Sequence, residues 1–149
     1  MVWSAFAFNG KTNIAFIDHR MKSKDYINLL NMHLMPFAAK IGGLNWIFQQ
    51  DNAPIHTSAE SREWFKSKNI EVMNWPSISP DLNPIENLWG LLVRKVYANG
   101  KQFDNIKDLI QAINECWEDI SIDVLRKYTN SMPSRVFQLI LKNGGSTDY

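Results

Sequence analysis

The chain has 149 residues, 45% of them hydrophobic and six of them tryptophan, with a formal net charge of +1. One globular domain with a sizeable core is the expectation, and no stretch is long and apolar enough to span a membrane. Near-neutral charge does not of itself point to nucleic acid, and a single cysteine, Cys116, excludes an internal disulfide and fits a reducing compartment.

Residues 2–8 and 11–17 are β-rich runs on either side of Asn9-Gly10, a pair whose tolerance of positive φ marks a type I′ hairpin turn. Trp3, Phe6, Phe8, Ile14, Phe16 and Ile17 fall on both strand faces, so helices are expected to cover part of each side. The spacing of Ile27, Leu30, Leu34 and Phe37 predicts a helix over 24–40, with Ser23 as N-cap and Gly42-Gly43 as the stop. Pro36 is expected to end or kink it near Met35. A strand over 46–50 follows, then a helix over 57–68 opened by Thr57-Ser58-Ala59-Glu60, readable as a capping box. Residues 70–73 read as a short strand. Pro76, Pro80 and Pro84 then predict a stiff, extended, non-helical connection.

The helix over 84–97 carries the clearest local signals. Asn83 caps it, Pro84 takes its first position, and Ile85, Leu88, Trp89, Leu92 and Val96 form one apolar stripe. Further helices are expected over 106–117, 122–129 and 134–141, followed by a polar end at 143–149. Their apolar residues, among them Leu109, Ile113, Trp117, Leu125, Val136, Leu139 and Ile140, are expected to pack inward. The acidic side chains at 104–123 read as a solvated face. A hairpin followed by alternating helices and strands is an α/β order.

Two carboxylates stand out. Asp51 closes the buried-strand run Trp46-Ile47-Phe48-Gln49-Gln50, and Glu86 sits in the first turn of the 84–97 helix. They are 35 positions apart (86 − 51), with 34 residues between. Carboxylates at a strand end and on a later helix can converge on a hard divalent cation such as Mg²⁺ or Mn²⁺. Each also has a plain structural reading: Glu86 as the partner of Asn83 in a capping box, Asp51 as a strand-end turn residue. His56 can act as a general base, a phosphate contact or a local hydrogen-bond partner beside a helix start. Asp81 is a rival carboxylate or a brace for its turn. Trp75 and Trp89 can stack on bases, though a tryptophan on an apolar helix stripe is usually core. Arg94 and Lys95 share a helix with Glu86, either within reach of a phosphate backbone or as solvated surface.

Gln49-Gln50-Asp51-Asn52-Ala53-Pro54-Ile55-His56, Trp75-Pro76 and Ser79-Pro80-Asp81-Leu82-Asn83-Pro84-Ile85-Glu86-Asn87-Leu88-Trp89-Gly90 resemble the catalytic domain of mariner-superfamily DDE transposases. Met1-Val2-Trp3 and Phe16-Ile17-Asp18 are similar to the strand pair upstream in that family. The interval of 34 residues resembles the branch whose third acidic residue is Glu. The resemblance implies a ribonuclease-H-like mixed sheet flanked by helices, with residues 1–99 as part of the catalytic domain and 100–149 as helices packed on it. It also implies that the chain begins after the family's first, central strand, which bears the first catalytic Asp; Asp18 follows the hairpin and is no substitute.

On that resemblance Asp51 and Glu86 are the catalytic and metal-binding carboxylates, with Mg²⁺ or Mn²⁺, two ions in the intact enzyme, serving phosphoryl transfer. Asn52, His56, Arg94 and Lys95 are candidate nucleic-acid contacts. The implied function is cleavage and strand transfer of DNA in transposition, in the nucleus, with transposon ends and target DNA as partners, a second copy of the chain as a further one, and no membrane. The alternative is an inactive remnant that binds DNA or another partner.

Overall fold

The apolar runs at the start of the chain pair as an antiparallel hairpin, in two segments offset by one residue. β1 (Val2–Trp3) pairs with β4 (Ala15–Phe16), and β2 (Phe6–Ala7) with β3 (Gly10–Lys11). Between them Ser4 and Ala5 face three residues, Thr12, Asn13 and Ile14, so the second strand carries a β-bulge. Thr12 is buried and fills the gap: its backbone N–H donates to the Ala5 carbonyl at 2.8 Å, and its Oγ1 accepts from the Ala5 N–H at 3.0 Å.

The hairpin turn lies one residue earlier than expected, at Phe8-Asn9, because Ala7 pairs with Gly10. Neither Asn9 nor Gly10 has a positive φ, so the turn is not type I′. Close packing accounts for the glycine: a Cβ at Gly10 would stand 3.0 Å from Ile41 Cγ2.

This computed structural model describes residues 1–76 and 79–149. The chain forms two compact units, Met1–Ile78 and Ser79–Tyr149. In the first unit the helix expected over 24–40 is three pieces. α1 (Ser23–Leu29) opens at Lys22, whose backbone N–H donates to the Asp25 carboxylate at 2.9 Å; Ser23 is already the first helical residue. A π turn, Leu30–Leu34, leads into α2 (Met35–Gly42), where Pro36 stands in the first turn. Proline has no N–H and its ring crowds the carbonyl four residues back, and a wide turn before a fresh helix start relieves both problems. Gly43, at φ 81°, ends α2.

β5 (Ile47–Phe48) then pairs in parallel with β6 (Glu71–Val72), joined through α3 (Ala59–Ser67). The cap of α3 is Ser58, whose Oγ accepts from the Ser61 N–H at 3.1 Å, one residue later than the expected capping box. Tyr26, Leu29, Leu30, Leu34, Ala38, Phe48, Trp64 and Phe65 make the core between the helices and strands. Among the described residues the strands form three separate two-stranded pairings.

In the second unit Pro80–Leu82 forms a 3₁₀ turn, so this part of the proline-rich connection is helical, contrary to expectation. The rest of that expectation falls partly on Ser77 and Ile78, outside the described residues. α4 (Pro84–Val96) starts where the sequence places it, capped by Asn83 Oδ1 accepting from the Ile85 N–H. Pro84, Leu88, Leu92 and Val96 are buried on its inner face. α5 (Ile106–Glu118) and α6 (Ile122–Asn130) pack on α4; Trp117 and Leu125 are buried, and the Trp117 ring stacks on Trp89 at 5.4 Å.

α7 (Met132–Leu141) departs from its expected packing. Val136 and Ile140 are 45% and 67% exposed, and the buried residue is Arg135. The polar end at 143–149 folds back, with the Thr147 N–H donating to Asp81 Oδ2 at 2.7 Å.

Candidate active site

Asp51 stands in the loop after β5 with its side chain 63% exposed. One oxygen is committed locally. Asp51 Oδ1 accepts from the Ala53 N–H at 3.0 Å and from His56 Nδ1 at 2.6 Å, so the Nδ1 of that imidazole carries the proton. Oδ2 accepts no hydrogen bond among the described residues. The carboxylate is thereby held at one end and open at the other.

His56 is fixed in turn from behind. Its ring packs on Tyr26 with centroids 4.5 Å apart, and its N–H donates to the Ala53 carbonyl at 2.8 Å. Tyr26 is fully buried and donates its hydroxyl to Gln50 Oε1 at 2.6 Å. Burial, and secondarily the Asp51 charge, push the Tyr26 phenol well above its ordinary 10.0, so it stays a neutral donor. Asn52 Nδ2 donates to the Trp75 carbonyl at 2.8 Å and ties the loop to the segment after β6. Sequence reasoning singled out His56 and Asn52 but missed the supporting pair Tyr26 and Gln50. The signal available was a tyrosine on the apolar stripe of an amphipathic helix, where a phenol needs a buried partner.

Glu86 lies in the first turn of α4 in the second unit, exposed, with its backbone N–H donating to the Asn83 carbonyl at 3.1 Å. The carboxylate has no hydrogen-bond or ion-pair partner among the described residues, and the helix start favours a negative charge there. The cap of α4 is the Asn83 side chain.

Arg94 is exposed on the same helix, near Gly90. Lys95 is ion-paired with Asp119 at the end of α5. Asp81 braces its turn, as its place between Pro80 and Asn83 suggested, and the Thr147 N–H is the main reason its carboxyl is held below the usual 3.8. Trp89 belongs to the apolar packing.

The structure therefore gathers Asp51, Asn52 and His56 on one loop of the first unit, and Glu86, Arg94 and Lys95 on one helix of the second. Among the described residues no cluster of three or more His, Cys, Asp or Glu side chains forms a complete metal cage. The donors that do stand open, Asp51 Oδ2 and the Glu86 carboxylate, are hard oxygens of the kind that suit Mg²⁺ and Mn²⁺. No helix among them is long and apolar enough to cross a membrane.

Residues 1–110 match the family model described as DDE superfamily endonuclease. The Tc3 transposable-element transposase of Caenorhabditis elegans is 42% identical over 149 residues, which cover 100% of this chain and 45% of that protein. The chain spans about half the length of the curated relatives it matches. Among solved structures, the Mos1 mariner paired end complex with Mn superposes with a TM-score of 0.86 at 20% identity, covering 99% of this chain and 44% of that one. The catalytic domain of Mos1 mariner transposase superposes with a TM-score of 0.75 at 19% identity, covering 99% and 82%. The fold is the ribonuclease-H-like α/β fold expected from the sequence. The chain belongs to the DDE superfamily endonucleases, and within them to the catalytic domain of the mariner-superfamily transposases.

Proposed function

We propose that the protein carrying this chain cleaves DNA strands at transposon ends and joins them to target DNA, with Asp51 and Glu86 as two of its metal-binding carboxylates. One observation carries the reading: in a DDE-family chain, Asp51 is anchored through Oδ1 by His56 and Ala53 while Oδ2 stands open. Ligating carboxylates are commonly held this way, since a hydrogen bond to one oxygen fixes the direction of the other. A remnant that only binds DNA is not favoured by the relatives, which are transposases.

Mg²⁺ or Mn²⁺, when bound, supplies charge stabilisation at the phosphate and makes a water or 3′-hydroxyl a better nucleophile. The chain's own residues hold and orient. His56 donates to Asp51 and keeps that carboxylate directed, Tyr26 and Gln50 stiffen the loop from inside, and the start of α4 presents Glu86 to solvent. Arg94 is the cation on α4 best placed to meet a DNA phosphate, because Lys95 already shares its charge with Asp119. Asn52 and His56 are assigned as secondary DNA contacts at the loop surface. Paired transposon ends bring a second copy of the protein as partner, and the place of action is the nucleus.

Paramagnetic broadening of backbone amide signals by Mn²⁺ tests the assignment. Amides at 51–53 and at 85–88 should broaden at low Mn²⁺ concentration, with Asp51→Asn abolishing the first effect and Glu86→Gln the second. Broadening confined to other acidic positions such as Asp108 or Asp123, or unaffected by the matching substitution, would refute it.

A further inference from the structure

Arg135 is the one fully buried arginine among the described residues, on a helix whose large apolar side chains Val136, Phe137 and Ile140 are exposed instead. A guanidinium taken out of water gives up its hydration, a loss that only hydrogen-bond partners offset, so its partners state what it is for. Nη1 donates to the Asp81 carbonyl at 2.5 Å, Nη2 to Asn87 Oδ1 at 2.6 Å, and Nε to Ser131 Oγ at 2.9 Å. The Tyr149 ring covers the other side, 4.4 Å from Cζ. No carboxylate takes part in these bonds. Burial lowers the guanidinium from its ordinary range, partly offset by nearby Tyr149 and Asp81, and it remains a cation.

Two of these bonds straddle Glu86. Asp81 lies in the 3₁₀ turn before α4, and Asn87 is the residue after Glu86. The two arms of one planar fork thus fix the entry of the chain into α4 and its first turn in a single geometry, which a lysine cannot reproduce. The 143–149 segment locks the arrangement: the Thr147 N–H donates to Asp81 Oδ2, and the Asp148 N–H to Gln138 Oε1 at 2.9 Å. Lys142 reaches back to the Ser146 carbonyl and the Asp148 carboxylate at 2.9 and 2.7 Å.

We propose that Arg135 is a positioning residue: by binding on both sides of Glu86 it fixes the direction in which α4 presents that carboxylate. This rests on Glu86 being a metal-binding carboxylate, a point the Mn²⁺ experiment on the wild-type chain decides separately. Arg135 itself touches neither metal nor DNA.

Amide hydrogen exchange on the wild-type chain and on Arg135→Lys, Arg135→Ala and Asn87→Ala tests the proposal. Losing bonds to a charged group should speed exchange across 81–88 by roughly tenfold or more in Arg135→Lys. Exchange across α5, at 106–118, should stay within about twofold, as expected when only a local opening changes. The Mn²⁺ concentration that half-broadens the 85–88 amides should rise by about tenfold, the effect typical of losing a group that orients a ligand. Asn87→Ala should speed the same 81–88 amides by a smaller factor. Should Arg135→Ala fail to fold, Arg135→Lys and Asn87→Ala carry the test. Unchanged exchange at 81–88 in Arg135→Lys, acceleration spread evenly over α4, α5 and α6, or an unchanged Mn²⁺ midpoint would each overturn it.

Discussion

Tyr26→Phe isolates one link in the support of Asp51. The substitution keeps the aromatic ring, and with it the contact to His56 and the packing against Leu29 and Leu30, and removes only the hydroxyl that donates to Gln50 Oε1 at 2.6 Å. A net protein hydrogen bond is worth about 0.5–1.5 kcal/mol, so the variant should be about 1 kcal/mol less stable at pH 7. For a chain of this length that lowers Tm by about 2–4 °C. The pH dependence gives the sharper test. The folded-state phenol is held above its ordinary 10.0 by burial and by the Asp51 charge. Above pH 10 the unfolded chain releases a proton that the folded chain keeps, so this contribution to stability is present below pH 10 and lost as pH rises beyond it. The loss proceeds at about 1.4 kcal/mol per pH unit for one proton. Phenylalanine has no proton to lose. The two stabilities should therefore cross between about pH 10 and 11, with the Phe variant the more stable above the crossing. Equilibrium urea unfolding of both proteins from pH 7 to 11.5 measures the difference, in which titrations common to both cancel. A constant offset over that range would show that Tyr26 ionises as a free phenol, and no offset at pH 7 that its hydroxyl contributes nothing.

Two further outcomes follow from the second unit. Trp117 is 1% exposed and stacked on Trp89, so Trp117→Ala should cost about 3–5 kcal/mol. That approaches the whole stability of a marginal domain, and loss of a cooperative thermal transition, largely restored in Trp117→Phe, is the expected reading. Asp81 has a depressed folded-state pKa caused first by the Thr147 N–H, so its contribution is present above about pH 4 and lost as pH falls below the ordinary 3.8. Acid unfolding followed by circular dichroism should show that Asp81→Asn is less stable than wild type at pH 6 and that the gap narrows toward pH 2.5; a gap that widens in acid would contradict the assigned bond.

What the sequence made legible was set by how local each determinant is. The start of α4 is written in two adjacent residues, a capping Asn83 and a Pro84 suited to the first helical position, and the structure opens the helix there. The hairpin turn is off by one because Gly10 answers to Ile41, a contact across 31 positions that no turn rule contains. Pro36 correctly marked a break, yet its form, a π turn ahead of a fresh helix, depends on how Leu30 and Leu34 reach the core. In α7 apolar spacing predicted burial of Val136 and Ile140, whereas the inward position belongs to Arg135. A hydrophobic pattern identifies a helix, but only the polar partners waiting on the neighbouring element decide which stripe turns inward.

The same distinction separates the two carboxylates. Asp51 is anchored by Ala53 and His56, two and five residues further along, so the groups that bond its carboxylate lie inside the motif that reveals it, and Tyr26 supports them from outside. Glu86 carries no such bond; its neighbours Asp81 and Asn87 are held by Arg135 at separations of 54 and 48 residues, and Asp81 again by Thr147 at 66. A loop at a strand end has nearby backbone N–H groups that can restrain a side chain. The first turn of a helix faces outward, and its orientation has to be set from a distance by whatever grips the turn before it. Substitutions that disturb Asp51 should therefore cluster within residues 50–56 and at Tyr26 beneath them, while those that disturb Glu86 should appear as far away as α7 and the 143–149 segment. The motif around Glu86 identifies the carboxylate, and Arg135 and the segment folded over it hold its helix in place.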